Sequence, residues 1–160
     1  METIRQLLKS KSDTLYSIAP DASVLDAIKL MAEKSVGALL VMDGDRLSGM
    51  LSERDYARKV ILHGRSSQNT PVHEIMSARV YTVGYDHTAQ DCMEIMTTRR
   101  IRHLPVVHGG RVVGMVSIGD LVKAVMASQQ ETIKHLEAYI NSTPEVDGLM
   151  DGKRTDAVRS

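Results

Sequence analysis

Apolar positions along the chain follow two periods. Val24, Ala27, Ile28 and Met31 recur at three- and four-residue steps, which is one face of a helix, and Asp21 or Ser23 precedes them as a cap. Gly37-Ala38-Leu39-Leu40-Val41-Met42 is instead an unbroken apolar run of strand length. Asp43-Gly44-Asp45 follows as a tight turn and Arg46-Leu47-Ser48-Gly49-Met50-Leu51 as the returning strand, so the pair predicts a hairpin. Ahead of the helix, Tyr16-Ser17-Ile18 is a short extended piece closed by Pro20, and Ser52 opens a second helix running to about residue 63. The same order then returns: Tyr81-Thr82-Val83 extended, a helix over 88–99, a strand over 103–107, a turn at His108-Gly109-Gly110, a strand over 111–116 and a helix opened by Ser117.

The return is a duplication. Sliding the chain against itself by 65 residues matches 13 of the 46 positions from Leu15 to Val60, Gly49/Gly114, Ser52/Ser117 and Asp55/Asp120 among them. Unrelated segments would share about three. The predicted fold is therefore mixed α/β: two β-α-β-β-α units, each a small sheet covered by helices, packed as a pseudo-twofold pair. Residues 1–14 form an N-terminal segment, 15–63 the first copy, 64–71 a polar exposed connection and 72–126 the second copy, with a short helical turn at 72–76. Beyond it Leu121, Val122, Val125, Met126, Ile133, Leu136 and Ile140 keep a helical period, Met126, Ile133 and Ile140 standing seven apart. A helical extension over 127–140 must cover that stripe against its own domain or against a second chain. Residues 141–160 are polar, with Pro144 and two glycines, and predict a flexible tail.

Composition narrows the function classes. In 160 residues the 20 Lys and Arg balance the 20 Asp and Glu, which removes the basic footprint of a non-specific nucleic-acid binder but leaves room for a local basic pocket. One cysteine, Cys92, allows neither an intrachain disulfide framework nor a multi-Cys zinc site, and on the apolar face of its helix it is a packing residue. The first residues carry no long apolar run and no stretch of about 18 apolar residues occurs, so neither a secretory leader nor a membrane span is expected, and a cytoplasmic location is. His63, His73, His87, His108 and His135 lie at turns or exposed helix positions; no pair has zinc spacing. Ten Met with no Phe or Trp describe an adaptable aliphatic core.

Chemistry concentrates where the second strand of each copy enters its helix, at Gly49-Met50-Leu51-Ser52-Glu53-Arg54-Asp55 and Gly114-Met115-Val116-Ser117-Ile118-Gly119-Asp120. Ser with an acidic residue three positions on is a capping box, the hydroxyl and carboxylate each serving the other's backbone amide. The same geometry suits a nucleotide: free amides at a helix start and a hydroxyl for phosphate, and a carboxylate for the two hydroxyls of ribose. No general base recurs beside either Ser, so a nucleophilic enzyme is not expected.

The doubled unit, the strand Ile101-Arg102-His103-Leu104-Pro105-Val106-Val107 and the twin Gly-x-x-Ser-x-x-Asp segments resemble a tandem pair of CBS domains, or Bateman module, over residues 15–125. Ser52-Glu53-Arg54-Asp55-Tyr56-Ala57-Arg58-Lys59 with Gly64-Arg65-Ser66-Ser67 is similar to stand-alone CBS-pair proteins of bacteria and organelles. The resemblance implies a regulatory sensor with no catalytic residue, metal or required cofactor. Such modules take AMP, ADP, ATP, NAD(H) or S-adenosylmethionine in clefts between the copies, pair into a flat homodimer and signal to a further protein, whose identity the sequence leaves open. Carried across, Asp55 and Asp120 match the ribose carboxylates, Ser52 and Ser117 the hydroxyls near phosphate, and Arg102 and His103 the basic positions facing phosphate. Tyr16, Ile18, Tyr81 and Val83 match the base pocket, with either copy's first strand free to serve either Asp.

The copies are not equivalent. Gly37, Ala38 and Leu40 stand where the second has Arg102, His103 and Pro105; Ala38 and Pro105 complete the candidate lining. Glu53-Arg54 stands where the second has Ile118-Gly119, so Arg54 joins Arg102 and His103 as an expected phosphate contact and equal affinity at two pockets is not expected. Arg58 and Lys59 are assigned to a solvated helix face. The alternative function is a structural or interaction module whose Ser-x-x-Asp segments are caps alone.

Overall fold

A computed structural model describes residues 2–11 and 14–142, with the Ser142 side chain left aside; most of the tail expected over 141–160 lies outside the described residues. The elements are α1 Ile4–Lys9, β1 Ser17–Ile18, α2 Val24–Lys34, β2 Ala38–Asp43, β3 Arg46–Ser52, α3 Glu53–Tyr56, α4 Ala89–Arg99, β4 His103–His108, β5 Arg111–Ser117 and α5 Ile118–Ser142. A π-helical turn, Ala57–Ile61, continues α3, and a 3₁₀ turn spans Val72–Glu74. Ser23, not Asp21, caps α2 by accepting from the Asp26 amide, and Thr88 with Asp91 forms the reciprocal capping box of α4.

Both hairpins form in the same register, Ala38 opposite Ser52 and His103 opposite Ser117, each with one bulge, between Val41 and Met42 and between Val106 and Val107. β1 adds to β2 in parallel, giving the order β1-β2-β3. The extended piece expected at 81–83 shrinks to a single parallel bridge, Val83 to Val106, held by the Val83 amide on the Pro105 carbonyl at 3.0 Å and the Val107 amide on the Val83 carbonyl at 2.8 Å. A second correction concerns the helix after Ser52: its α-helical part ends at Tyr56 and the rest is π-wound.

Each copy has its own core, and each core is completed by the segment leading into the other copy. Val24, Ala27, Met31, Leu39, Val41, Leu51 and Val60 of the first copy pack with Val72 and Ile75, at the start of the second. Ala89, Cys92, Met96, Leu104, Val106, Val116 and Leu121 of the second pack with Ile4 and Leu7 of α1, an element absent from the expectations for residues 1–14. The two lead-ins are held alike. The Ile4 amide donates to the His87 carbonyl and the Val72 amide to the Ala22 carbonyl, each at 2.8 Å; the Ala89 and Val24 amides donate to the Glu2 and Thr70 carbonyls, each at 2.9 Å. Ile4 therefore corresponds to Val72 and Leu7 to Ile75, an offset three residues longer than that of the copies. Gly49 and Gly114 make room for these segments: a Cβ on Gly49 would lie 2.7 Å from the Met76 sulfur and 2.8 Å from the Ser77 carbonyl, and one on Gly114 2.8 Å from Leu8.

The chain divides into a body, residues 1–124, and a second unit from Val125, whose described part is the remainder of α5. On α5 the stripe divides too. Leu121 is fully buried in the second core with Ala124 against it, whereas Val122, Met126, Ile133, Leu136, Tyr139 and Ile140 are exposed.

Candidate nucleotide site

The register of β2 and β4 sets the site. Both strands start beside the helix that continues from their hairpin partner: the Glu53 amide donates to the Gly37 carbonyl at 3.1 Å and the Ile118 amide to the Arg102 carbonyl at 2.9 Å. Residues 101–103 of the second copy are thereby held at its own helix start, and they face residues 52–59 of the first across one cavity of about 830 Å³. Ser52, Arg54, Asp55, Ala38, Tyr81, Arg102 and His103 of the expected set all line it. So do Gly37, Glu53, Arg58, Lys59, Arg79 and Arg100. The second copy's segment at 79–81 lines the same cavity as Asp55 of the first.

Both capping boxes form. The Ser52 amide donates to Asp55 Oδ2 at 2.9 Å while the Asp55 amide donates to Ser52 Oγ at 3.2 Å, and the Ser117 amide donates to Asp120 Oδ2 at 2.8 Å while the Asp120 amide donates to Ser117 Oγ at 3.1 Å. Of the amides expected to meet an anion at the start of α3, those of Glu53 and Asp55 are engaged within the protein. Positive charge in the cavity comes from side chains instead. Arg54, Arg58, Lys59, Arg79, Arg100 and Arg102 stand against Glu53 and Asp55 alone, in a chain whose net charge is zero. Arg58 and Lys59 are exposed, as expected of a solvated helix face, and they also border this cavity from the π-helical turn. Lys59 Nζ reaches Asp55 Oδ1 at 3.2 Å and the Ile75 carbonyl at 2.9 Å. Arg54 crosses between copies, its Nη1 donating to the Arg100 carbonyl at 3.2 Å. The Tyr81 ring carries the Arg99 guanidinium 4.8 Å from its centroid.

Asp120 is placed differently. Lys11 Nζ donates to Asp120 Oδ2 at 2.6 Å and to the Met115 carbonyl at 2.5 Å. Burial alone would raise the Asp120 carboxyl, but the Lys11 and Ser117 hydrogen bonds hold it below the usual carboxylate range. Ser117 and Asp120 are not among the residues lining the cavity, nor are Tyr16, Ile18, Val83 and Pro105. Val83 and Pro105 are buried, Val83 in the second core; Tyr16 and Ile18 pack on the first, and Lys34 sits 5.7 Å over the Tyr16 ring. His103 lies within the influence of both half-sites: burial first, then Lys11 and Arg102, push its imidazole below the ordinary histidine range, against the pull of Asp120.

Among the described residues no group of three or more His, Cys, Asp or Glu is arranged to hold a metal ion, and no helix is long and apolar enough to cross a membrane. Cys92 is buried and its thiol is pushed up to about 11 by burial and by neighbouring Asp91, which keeps it an unreactive packing group.

Comparison with known proteins bears on this geometry. The chain is 40% identical over 147 residues to the CBS domain-containing protein CBSX3, mitochondrial, of Arabidopsis thaliana, covering 86% of this chain and 71% of that one. A CBS-domain structure from Burkholderia ambifaria superposes with a TM-score of 0.77 at 53% identity, over 79% of this chain and 96% of that one. The CBS domain pair of protein MJ0100, in complex with 5′-methylthioadenosine and S-adenosyl-L-methionine, shares the fold with a TM-score of 0.71 at 22% identity, over 80% and 98% of the two chains. The CBS domain profile matches twice, over residues 5–61 and 72–127; the chain belongs to the CBS domain family and carries two copies of its unit.

Proposed function

We propose that the cavity beside Asp55 binds an adenine nucleotide by its phosphates and ribose, and that occupancy regulates a protein to which this chain or its homodimer couples. The observation that carries the reading is the gathering of six Lys and Arg side chains and His103 around Ser52 and Asp55, with residues of both copies in one wall. Guanidinium groups grip phosphate oxygens in pairs and keep their charge at every accessible pH. Asp55 retains acceptor capacity on Oδ1 for ribose hydroxyls. That the CBS domain pair of MJ0100 is in complex with two adenosine-derived compounds supports an adenosine ligand, and the cation excess here favours a phosphorylated one.

Calorimetric titration of the full chain is expected to rank ATP above ADP above AMP, ATP binding at least about tenfold tighter than AMP, with S-adenosylmethionine weak and the ATP affinity falling as salt rises. Heat within error of buffer for all four, together with intact thermal melting, would leave the two capping boxes as structural devices and the chain as an interaction module.

His103 adds a pH signature. Its folded-state value is depressed, so the unfolded chain takes the proton first. The stability contributed by neutral His103 is full above the unfolded value of about 6.5 and is lost as pH falls from there toward the folded value. Bound phosphate favours the imidazolium and opposes that loss. Melting temperatures between about pH 8 and pH 5 are expected to fall less with ATP present than without, and His103→Gln to narrow the difference. Identical slopes in the parent, with and without ATP, would remove His103 from the phosphate contacts.

A further inference from the structure

Ile4 and Val72, Leu7 and Ile75, and Leu8 and Met76, the last two set against Gly114 and Gly49, are pairs 68 residues apart, where the copies themselves repeat at 65. Continued along the segment, that spacing sets Lys11 at the place of Arg79. Arg79 lines the cavity with Asp55 and Met50. Lys11 meets their counterparts, its Nζ donating to Asp120 Oδ2 at 2.6 Å and to the Met115 carbonyl at 2.5 Å. The second half-site is thus laid out like the first, but its lead-in cation lies on the carboxylate.

The two half-sites differ in charge. Gly119, Ala124, Ser35 and Gly37 stand where the first has Arg54, Lys59, Arg100 and Arg102, so only Arg58 and Arg79 have basic counterparts, in Lys123 and Lys11. The part that would hold a ribose is retained: the Ser117 and Asp120 box makes the same hydrogen bonds as that of Ser52 and Asp55. We propose that Lys11 is a tethered competitor that keeps the Asp120 half-site closed, and that the ligand it holds off is a nucleoside without phosphates, an inference that rests on Asp55 serving ribose in the first copy. Ribose hydroxyls and the Lys11 ammonium compete for one carboxylate, and the burial of Ile4 and Leu7 a few residues away keeps the ammonium at high local concentration. A ligand that must displace it binds more weakly in proportion to the fraction of chains in which the lysine is away. Phosphates add little to such a ligand, because four of the six cations that would grip them are replaced by uncharged residues.

Calorimetric titration of the full chain with adenosine tests this. Lys11→Ala is expected to bind adenosine at least about tenfold tighter than the parent, and Lys11→Arg, which keeps a cation for Asp120, to stay within about twofold of it. Adding Asp120→Asn to Lys11→Ala is expected to abolish the gain, and adding Asp55→Asn to preserve it. The gained affinity is expected to change less than about twofold over a salt range that weakens ATP binding, since no phosphate is held there. Should Lys11→Ala not melt cooperatively, Lys11→Met, which keeps the side-chain length without the charge, carries the same expectations. No gain in a cooperatively melting variant, or a gain removed by Asp55→Asn and kept with Asp120→Asn, overturns the proposal. A parent that does not bind ATP, beside a Lys11→Ala that gains adenosine through Asp120, overturns the nucleotide reading of the Asp55 cavity alone.

Discussion

Ile4→Ala is expected to lower the unfolding free energy by about 2–5 kcal/mol, the cost of emptying a fully buried isoleucine site, although the residue lies in a six-residue helix at the start of the chain. The loss falls on the distant copy. Ile4 packs with Ala89, Leu104, Val106 and Val116, so amide exchange should quicken in α4, β4 and β5 and leave β2 and β3 protected. Ile75→Ala, equally buried, should do the reverse, loosening β2, β3 and α2. Denaturant titration with exchange mass spectrometry on the two variants checks both statements. A cost below about 1 kcal/mol for Ile4→Ala, or the same exchange pattern from the two variants, would contradict the crossed completion of the cores.

The second large effect separates the two Ser-x-x-Asp segments. Asp55→Asn keeps an oxygen that can accept from the Ser52 amide but loses the charge that meets Lys59 and the acceptor pair offered to ribose, and it is expected to weaken ATP binding by about 1–3 kcal/mol, or about 5- to 150-fold. Asp120→Asn should leave the ATP affinity within about twofold, since Lys11 already holds that carboxylate and Asp120 is outside the cavity lining, and should instead lower the melting temperature. Arg102→Ala belongs with Asp55→Asn. Equal losses in the two Asp variants would mean that the ligand spans both half-sites.

The elements with strong local signals are legible in the sequence. The apolar run 38–42, its Asp-Gly turn and the glycine-bearing return strand specify a hairpin by composition alone, and the duplicate at 103–116 repeats the specification. Ile4, Leu7 and Leu8 show too few turns for a period, and the copy that would expose them is shifted by three residues relative to the rest, so α1 escapes both tests. The piece at 81–83 looks as extended as its counterpart at 16–18, yet neighbouring contacts leave it one bridge. Around the cavity, Ser52 and Asp55 can be found because a doubled motif marks them, and Arg102 and His103 because the strand 101–107 carries the family resemblance. Arg79 and Arg100 carry no such mark. Arg79 arrives on the lead-in segment, and Arg100 is placed by its left-handed backbone at the end of α4, with φ of 55°.

The lysine seated on Asp120 has a consequence for dose response. Two equal pockets in one chain would communicate through the shared seam and give a curve whose steepness changes with filling. With one carboxylate engaged from within by Lys11, the nucleotide binding proposed beside Asp55 is expected to follow a simple saturating hyperbola in each chain, a sigmoid shape then arising between chains.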